Sequence, residues 1–411
     1  MRILIVTQYF WPERFRINDL ALGMKQRGHV VEILTGMPNY PAGDFYPGYR
    51  MFAPARESFE GIPVLRVPLV RRGSSRSWRL AVNYASFALA ASALGPFRCR
   101  GRYDVIFVYE PSPVTVALPG IVLKVVKEAP LLFWAQDLWP ENLSATGAVK
   151  ARWILKFVRR LVDFIYRWSD RVLISARASA AHVLASGIAE DRIVYLPNWA
   201  ESLYQPLQTM PDSVRAEMPE GFRVMFAGNI GSAQAFETIV AAAERLRGEP
   251  HIHWIVLGDG NMKPWVAAQV RERGLEGQFH LLGHRPVESM PGYFAAADAL
   301  LVSLRADPVF ALQVPSKIQS YLACGRPIIA SIDGESADIV AESGAGISCP
   351  AEDPEKLAEA VLTLSRMPAD QRRAMGRKGR QYFESNFERE MLLDRLERLM
   401  LDISGKNECA S

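Results

Sequence analysis

Short runs of Val, Ile and Leu alternate along the chain with longer stretches whose apolar residues recur every three or four positions. The short runs predict strands at Arg2–Thr7, Val30–Thr35, Val64–Leu69, Asp104–Tyr109, Pro130–Ala135, Arg171–Ser175 and Arg192–Leu196. Helical spacing falls between most of them, at Ile17–Arg27, Val114–Lys127 and Arg152–Trp168. The pattern then restarts. Phe222–Ala227, His251–Leu257, Gln278–Leu281, Ala299–Leu304 and Pro327–Ser331 read as strands, with helical stretches such as Phe236–Leu246 and Leu357–Leu364 between them. Near-continuous apolar strands separated by helices mark parallel sheets covered on both faces.

The restart follows Pro197-Asn198-Trp199-Ala200-Glu201 and a polar, Pro-containing stretch over 205–221. The pattern therefore predicts two doubly wound α/β domains, 1–198 and 199–387. A last helix, Glu388–Ile403, has no strand after it, so the segment 388–411 is expected to pack back on the first domain. A chain of 411 residues fits two such domains, and 49% hydrophobic with 22% charged residues excludes a disordered chain. The first residues, Met1-Arg2-Ile3-Leu4-Ile5-Val6, make too short an apolar stretch for an export leader and lack a small-residue cleavage site. Cys99, Cys324, Cys349 and Cys409 lie far apart, with no CxxC pair and no His at zinc spacing. A reducing, cytoplasmic setting without structural zinc is expected.

Charge is distributed unevenly. Residues 1–200 hold 26 Lys/Arg against 15 Asp/Glu, while the rest hold 22 against 29. From Arg71 to Arg102 stand Arg71, Arg72, Arg76, Arg79, Arg98, Arg100 and Arg102 with no acid. They flank the uncharged stretch Leu80–Phe97, which is borderline for crossing a bilayer and is interrupted by Asn83, Ser86, Ser92 and Gly95-Pro96. Lys150–Arg171 carries seven Lys/Arg and two Asp, with Trp153, Ile154, Phe157, Leu161, Phe164, Ile165 and Trp168 at helical spacing. Such basic amphipathic helices suit an anionic membrane surface, and equally a core helix with solvated arginines. No compact nucleic-acid recognition motif accompanies the arginines, so no nucleic-acid partner is expected.

The chain has no GxSxG, HExxH, DxD or GxxxxGK[ST] motif. After the first strand stands Gln8-Tyr9-Phe10-Trp11-Pro12-Glu13 in place of a dinucleotide GxGxxG, which disfavours an NAD-type dehydrogenase. Three strand ends in the second half carry glycine turns: Gly228-Asn229-Ile230-Gly231, Gly258-Asp259-Gly260 and Gly283-His284-Arg285. Ligands of open α/β sheets bind outside the carboxyl ends of strands, where these turns fall, so a nucleotide site is expected there. Pro315-Ser316-Lys317 opens a helical stretch; a lysine at the positive end of a helix is best read with an anion between them. In the first half, Gln136-Asp137-Leu138-Trp139-Pro140-Glu141-Asn142 and Glu110 follow strands. Acid, amide and aromatic groups there suit a sugar, although either Asp137 or Glu110 could simply cap a turn.

Taken together, these motifs resemble the retaining glycosyltransferases of family four, and within them the bacterial branch that builds O-antigen, capsule and other surface polysaccharides. The resemblance is carried by Trp11-Pro12-Glu13, Arg27-Gly28-His29-Val30-Val31, Pro38-Asn39-Tyr40-Pro41 with Gly48-Tyr49, Gln136-Asp137-Leu138-Trp139-Pro140-Glu141, Pro197-Asn198-Trp199, Gly228-Asn229-Ile230-Gly231 with Gln234, Gly258-Asp259-Gly260 and Pro315-Ser316-Lys317. It implies the GT-B fold of two facing Rossmann-like domains. It further implies a nucleotide-sugar donor, UDP-linked by expectation, on the second domain. The acceptor would be a polyprenyl-diphosphate-linked saccharide on the first, at the inner face of the plasma membrane. No metal or other cofactor is implied.

Asp137 and Lys317 are then the expected catalytic residues. Gly228, Asn229, Gly231, Gln234, Gly258, Gly260, His284, Arg285, Pro315, Ser316, Lys317 and Ser320 would bind the donor. Glu13, Glu110, Gln136, Trp139 and Glu141 would bind the acceptor. The sequence departs from the family pattern where Gln136 replaces a His, where Asn229 and Gln234 replace an Arg and a Lys, and where Leu312 and Ser320 replace paired glutamates. We read these as variation of the polysaccharide branch. A GT-B sugar-nucleotide epimerase and a catalytically silent membrane-bound scaffold are the alternative readings.

Overall fold

The structure, a computed structural model, describes residues 1–52, 55–73, 77–145, 149, 151–207 and 209–406. Arg76, Lys150 and Cys409 lie outside the described residues. The chain forms two units, Met1–Pro197 with Glu390–Ser411, and Asn198–Arg389.

In the first unit the apolar runs become β1 (Arg2–Val6), β2 (Val30–Gly36), β3 (Arg56–Phe59), β4 (Ile62–Val67), β5 (Val105–Glu110), β6 (Leu131–Ala135), β7 (Arg171–Ile174) and β8 (Ile193–Tyr195). They make one sheet in the order β3-β4-β2-β1-β5-β6-β7-β8. Its pairings are parallel apart from β3 with β4. β5 and β6 are buried along their whole length because helices cover both faces. On one face Leu4, Val6, Ile106, Val108 and Phe133 pack with Phe87, Leu123, Val162 and Ile165 from the helices Ser77–Arg98, Ala117–Lys127 and Arg152–Trp168.

The strand Arg56–Phe59 was not expected. It is a polar sheet edge, Arg-Glu-Ser-Phe, with no fully buried residue, so it leaves no apolar run to read. The Gly95-Pro96 interruption also differs: the helix Ser77–Arg98 runs through it. Pro96 sits in the last turn, where it removes a single backbone bond. This is the one helix among the described residues long and apolar enough to cross a membrane. Here its Asn83, Phe87 and Ala91 face is buried, while Trp78, Val82, Leu89 and Phe97 stand exposed.

The final helix, Arg389–Ile403, buries Leu392, Leu393, Leu396 and Met400. Arg27 bonds Glu390 and Asp394, each at 2.7 Å, and His29 Nε2 lies 2.7 Å from Glu397. The tail is thus part of the first unit.

The second unit holds β9 (Phe222–Ala227), β10 (Ile252–Leu257), β11 (Phe279–Gly283), β12 (Ala299–Ser303), β13 (Ile328–Ser331) and β14 (Gly346–Cys349). All are parallel in the order β11-β10-β9-β12-β13-β14. Alternate residues feed two cores: Met225, Ile255, Leu300 and Ile328 on one face, Val224, Phe226, Trp254 and Leu301 on the other. β14 escapes the sequence pattern because Gly-Ile-Ser-Cys is short and carries one aliphatic side chain.

Candidate active site

Both sheets reverse their strand order once. β1 has β2 on one side and β5 on the other; β9 has β10 on one side and β12 on the other. The loops leaving a parallel sheet at such a reversal diverge, and the crevice they leave is where α/β proteins bind ligands. The glycine turns, Pro315-Ser316-Lys317, Trp11-Pro12-Glu13 and Gln136–Glu141 lie at or next to these two crevices, whereas Arg27-Gly28-His29 precedes β2 and bonds the last helix.

In the second unit, Gly228–Gly231 leaves β9 and Gly258–Gly260 leaves β10. The turns interlock: Gly228 N donates to Leu257 O (2.9 Å), Ile230 N to Asp259 O (2.8 Å) and Gly258 N to Gly283 O (2.9 Å). A Cβ on Gly258, whose φ is +136°, would stand 1.9 Å from the Gly228 carbonyl oxygen. Only glycine permits that approach. Gln234 Oε1 accepts from Gly231 N (3.2 Å), so this side chain shapes the loop from within. Asn229 remains exposed. From β12, Arg305 N reaches Ala233 O (2.9 Å) and ties the two sides of the crevice together. Tyr321, fully buried, accepts from Ala227 N (3.2 Å) and fixes the end of β9.

Pro315 precedes the helix Ser316–Ala323, and Lys317 projects from its first turn. Its Nζ lies 3.7 Å from the centre of the Phe226 ring, and a Cβ on Gly228 would come within 2.7 Å of its Cε. Among the described residues Lys317 has no carboxylate partner. Burial lowers its pKa to about 7. A cation held in a desolvated position beside a glycine loop and a helix N-terminus is arranged for an anion.

Two expected donor ligands are otherwise engaged. Arg285 bonds Glu217 (2.7 Å), Leu282 O (2.7 Å) and Tyr293 Oη (2.8 Å), so all three guanidinium nitrogens are occupied and the charge is neutralised. Ser320 is buried, and its hydroxyl donates to Ser316 O (3.2 Å) inside its own helix. His284 and Ser316 are exposed near the crevice.

In the first unit, Glu110 ends β5 and is fully buried. Its Oε2 accepts from Asp137 N (3.3 Å) and its Oε1 from Trp139 Nε1 (3.2 Å). Gln136 N donates to Glu110 O (3.1 Å). Glu110 thus holds the Gln136–Trp139 turn in place, and the Asp137 carboxyl takes a hydrogen bond from Asn142. Burial raises the pKa of both acids, with the neighbouring Asp137 charge adding to the rise at Glu110. Two adjacent carboxyls in a dry setting resist joint ionisation, the condition for a group that handles protons near neutrality.

Glu141 and Glu13 do not present free carboxylates to a ligand. Glu141 pairs with Arg159 of the helix Arg152–Trp168 and with His182 (3.1 Å). Glu13 is buried, and its oxygens accept from the backbone of Phe10 (3.2 Å), Asn39 and Tyr40 (both 2.8 Å). Burial raises its pKa to about 7. Both acids organise loops.

Residues 14–199 match the family model described as a glycosyl transferase 4-like domain, and residues 221–367 that of the glycosyl transferases group 1. The chain is 30% identical over 273 residues to the probable glycosyltransferase WbjE of Pseudomonas aeruginosa, covering 64% of this chain and 66% of that protein. It is 26% identical over 340 residues to the putative colanic acid biosynthesis glycosyl transferase WcaI of Escherichia coli K12, covering 79% and 82%. Among solved structures, Anabaena Alr3699/HepE in complex with UDP and glucose superimposes with a TM-score of 0.70 at 17% identity over 97% of this chain and 99% of that one. WaaG, a glycosyltransferase of lipopolysaccharide biosynthesis, gives 0.66 at 14% identity over 98% and 100%. Two parallel-sheet domains of this architecture, each matched along most of its length by a glycosyltransferase model, place the chain in the group 1 glycosyltransferases with the GT-B fold.

Proposed function

We propose that the protein is a retaining glycosyltransferase of cell-surface polysaccharide synthesis. It would move a hexosyl or N-acetylhexosaminyl group from a nucleotide-sugar, most readily a UDP-sugar, to a polyprenyl-diphosphate-linked saccharide. The observation that carries this reading is Lys317, a desolvated cation with no carboxylate partner among the described residues, set against the Gly228–Gly231 turn at the strand reversal. The names of WcaI and of the UDP complex of HepE support the polysaccharide and UDP assignments.

In the proposed reaction the bond between the sugar and the diphosphate breaks first, and negative charge grows on the departing oxygen. Lys317 and the amides of the glycine turn would stabilise that charge, which is usually the largest catalytic contribution. The acceptor hydroxyl oxygen would then bond the anomeric carbon on the face the diphosphate leaves, so the anomeric configuration is retained, and its proton would pass to the departing phosphate oxygen. Asp137 would orient the acceptor hydroxyl. The charge stabilisation uses protein groups alone, so no metal enters the scheme.

Thermal unfolding with UDP, GDP, dTDP, ADP and NAD tests the donor assignment. At 100 times its dissociation constant a ligand adds about 2.7 kcal/mol, or about 5–10 °C for a unit of this size. We expect UDP to give such a shift and NAD none. A panel with no shift would overturn the transferase reading.

The proposed location is the inner face of the plasma membrane. On the first unit the helix Arg152–Trp168 exposes Trp153, Phe157, Phe164 and Trp168 beside Lys156, Arg160 and Arg167. The outward face of Ser77–Arg98 adds Trp78, Leu89 and Phe97. Lys127 Nζ bonds Pro96 O (3.2 Å) and Lys124 Nζ bonds Trp168 O (3.0 Å), so the helix Ala117–Lys127 joins the two. Aromatics flanked by basic residues suit anionic headgroups. Replacing Trp153 and Phe157 by Ser should cut flotation with phosphatidylglycerol vesicles several-fold without lowering the melting temperature. Unchanged flotation would remove the helix from the membrane contact.

A further inference from the structure

On the same sheet as the acid-bearing turn, the loops after β1, β2 and β4 meet around a polar network that the reaction scheme leaves unused. Glu13 fixes the amides of Asn39 and Tyr40, as described above. Asn39 Oδ1 accepts from Arg72 N (3.2 Å) and Asn83 Nδ2 (3.3 Å), and Asn83 Oδ1 accepts from Gln8 Nε2 (2.8 Å). Gln8, Glu13, Asn39 and Asn83 are all buried. Desolvating so many polar groups is costly unless they are bonded, and here most are, Glu13 to backbone amides and Asn39, Asn83 and Gln8 Nε2 to one another, while Gln8 Oε1 has no partner among the described residues. The outcome is a rigid frame around one arginine.

The Arg72 guanidinium emerges from that frame. Nη1 donates to Tyr9 Oη (3.1 Å), and the guanidinium carbon lies 5.1 Å from the centre of the Tyr40 ring. Tyr9 stacks on Phe15 at 5.2 Å and meets Tyr40 at 5.4 Å. Among the described residues Arg72 has no carboxylate partner; the nearby Asp44 pairs with Arg71 (2.6 Å). Tyr40 keeps 36% of its surface exposed. An oriented, uncompensated guanidinium fork fits phosphate oxygens, and an exposed aromatic face fits the apolar face of a pyranose ring.

We propose that Arg72 and Tyr40 form the subsite for the diphosphate-bearing first sugar of the acceptor. This rests on the reading of the acceptor given under Proposed function. The site lies at the carboxyl edge of the sheet that also carries Asp137. β6 is three strands from β2, which leads to Tyr40, and four from β4, which leads to Arg72, a lateral span of about 14–19 Å between the strand ends, the reach of a short oligosaccharide. That span lets the phosphates rest on Arg72 while a hydroxyl of the same saccharide reaches Asp137.

The test uses the full chain carrying Lys317→Met, which weakens diphosphate binding in the second unit, and farnesyl diphosphate as probe in calorimetric titration. Adding Arg72→Met should raise its dissociation constant about tenfold, and Arg72→Lys should fall between the two, since charge is kept and the fork is lost. Tyr40→Ala should weaken binding by removing the ring against which the Arg72 guanidinium lies, and Tyr40→Phe, which keeps that ring, should not. Melting temperatures check that each variant folds. An Arg72→Met variant that melts like its parent and binds farnesyl diphosphate within twofold of it overturns the proposal. Equal affinity for farnesol would mean adsorption of the chain alone, and equal affinity for inorganic pyrophosphate a free-anion site; either also overturns it. The donor reading is tested separately by the UDP shift of the parent protein. A UDP shift that stands while Arg72 has no effect removes this subsite and leaves the transferase.

Discussion

Replacing Asp137 by Asn should reduce sugar transfer by about 10²-fold, the order lost when a reacting hydroxyl is no longer held in place, while leaving the UDP-dependent thermal shift unchanged. The separation follows from where the residue sits. Asp137 belongs to the first unit, on a turn that Glu110 holds by Asp137 N and Trp139 Nε1, whereas the glycine turns and Lys317 belong to the second. Asn preserves the side chain's shape and removes its charge. The parent's pH profile should carry an acid limb above the ordinary carboxylate range, because burial raises Asp137 and transfer needs its ionised form. Activity should therefore fall as pH falls through that limb. Full turnover by the Asn variant would deny Asp137 any part in the reaction.

Lys317→Met should lower transfer by about 10²–10³-fold, the cost of removing one stabilising donor from a developing negative charge, and should weaken UDP as well. The pH dependence is the sharper signature. With its pKa held at about 7 by burial, Lys317 is only partly charged in the free protein at neutral pH. A bound diphosphate supplies the missing counter-charge and raises that pKa, so binding takes up a proton. Because the terminal phosphate of UDP itself titrates at about pH 6, the signal is the ratio of parent to Met-variant affinity, which should be flat well below pH 7 and fall above it, approaching tenfold per pH unit until the pKa of the complex is reached. Calorimetry in two buffers of different ionisation enthalpy would measure the uptake. The Met variant should show neither slope nor uptake from this position. A ratio that stays flat through pH 7 would assign the proton to another group.

The strands were legible wherever burial on both faces demands continuous apolar runs, as in Val105–Glu110 and Phe222–Ala227. They were hidden where an edge relaxes that demand, as at Arg56–Phe59 and Gly346–Cys349. Much the same division runs through the site. Asp137 and Gly228 could be named because each follows the end of a strand in its own parallel sheet, which needs only the strand pattern to see, and Lys317 because it opens a helix. Which side chains remain free depends on partners remote in sequence. Arg285 is neutralised by Glu217, 68 positions away, and Glu13 is held by Asn39, 26 away. No local pattern announces either pairing. Arg72 is the reverse case. In the sequence it was one basic residue among seven between Arg71 and Arg102, and its buried frame of Gln8, Asn39 and Asn83 distinguishes it from the others.

The last helix sets the order in which the protein can be completed. Residues 1–197 have left the ribosome long before Arg389–Ile403 exists, yet that helix belongs to their unit and neutralises Arg27 through Glu390 and Asp394. At roughly 5–20 residues per second, translation of the intervening unit takes about 10–40 s. Throughout that interval the nascent first unit shows water the apolar surface that Leu392, Leu393, Leu396 and Met400 later cover. A translation stop anywhere in the second unit would therefore strand a first unit with an open seam, a natural target for chaperones and proteases.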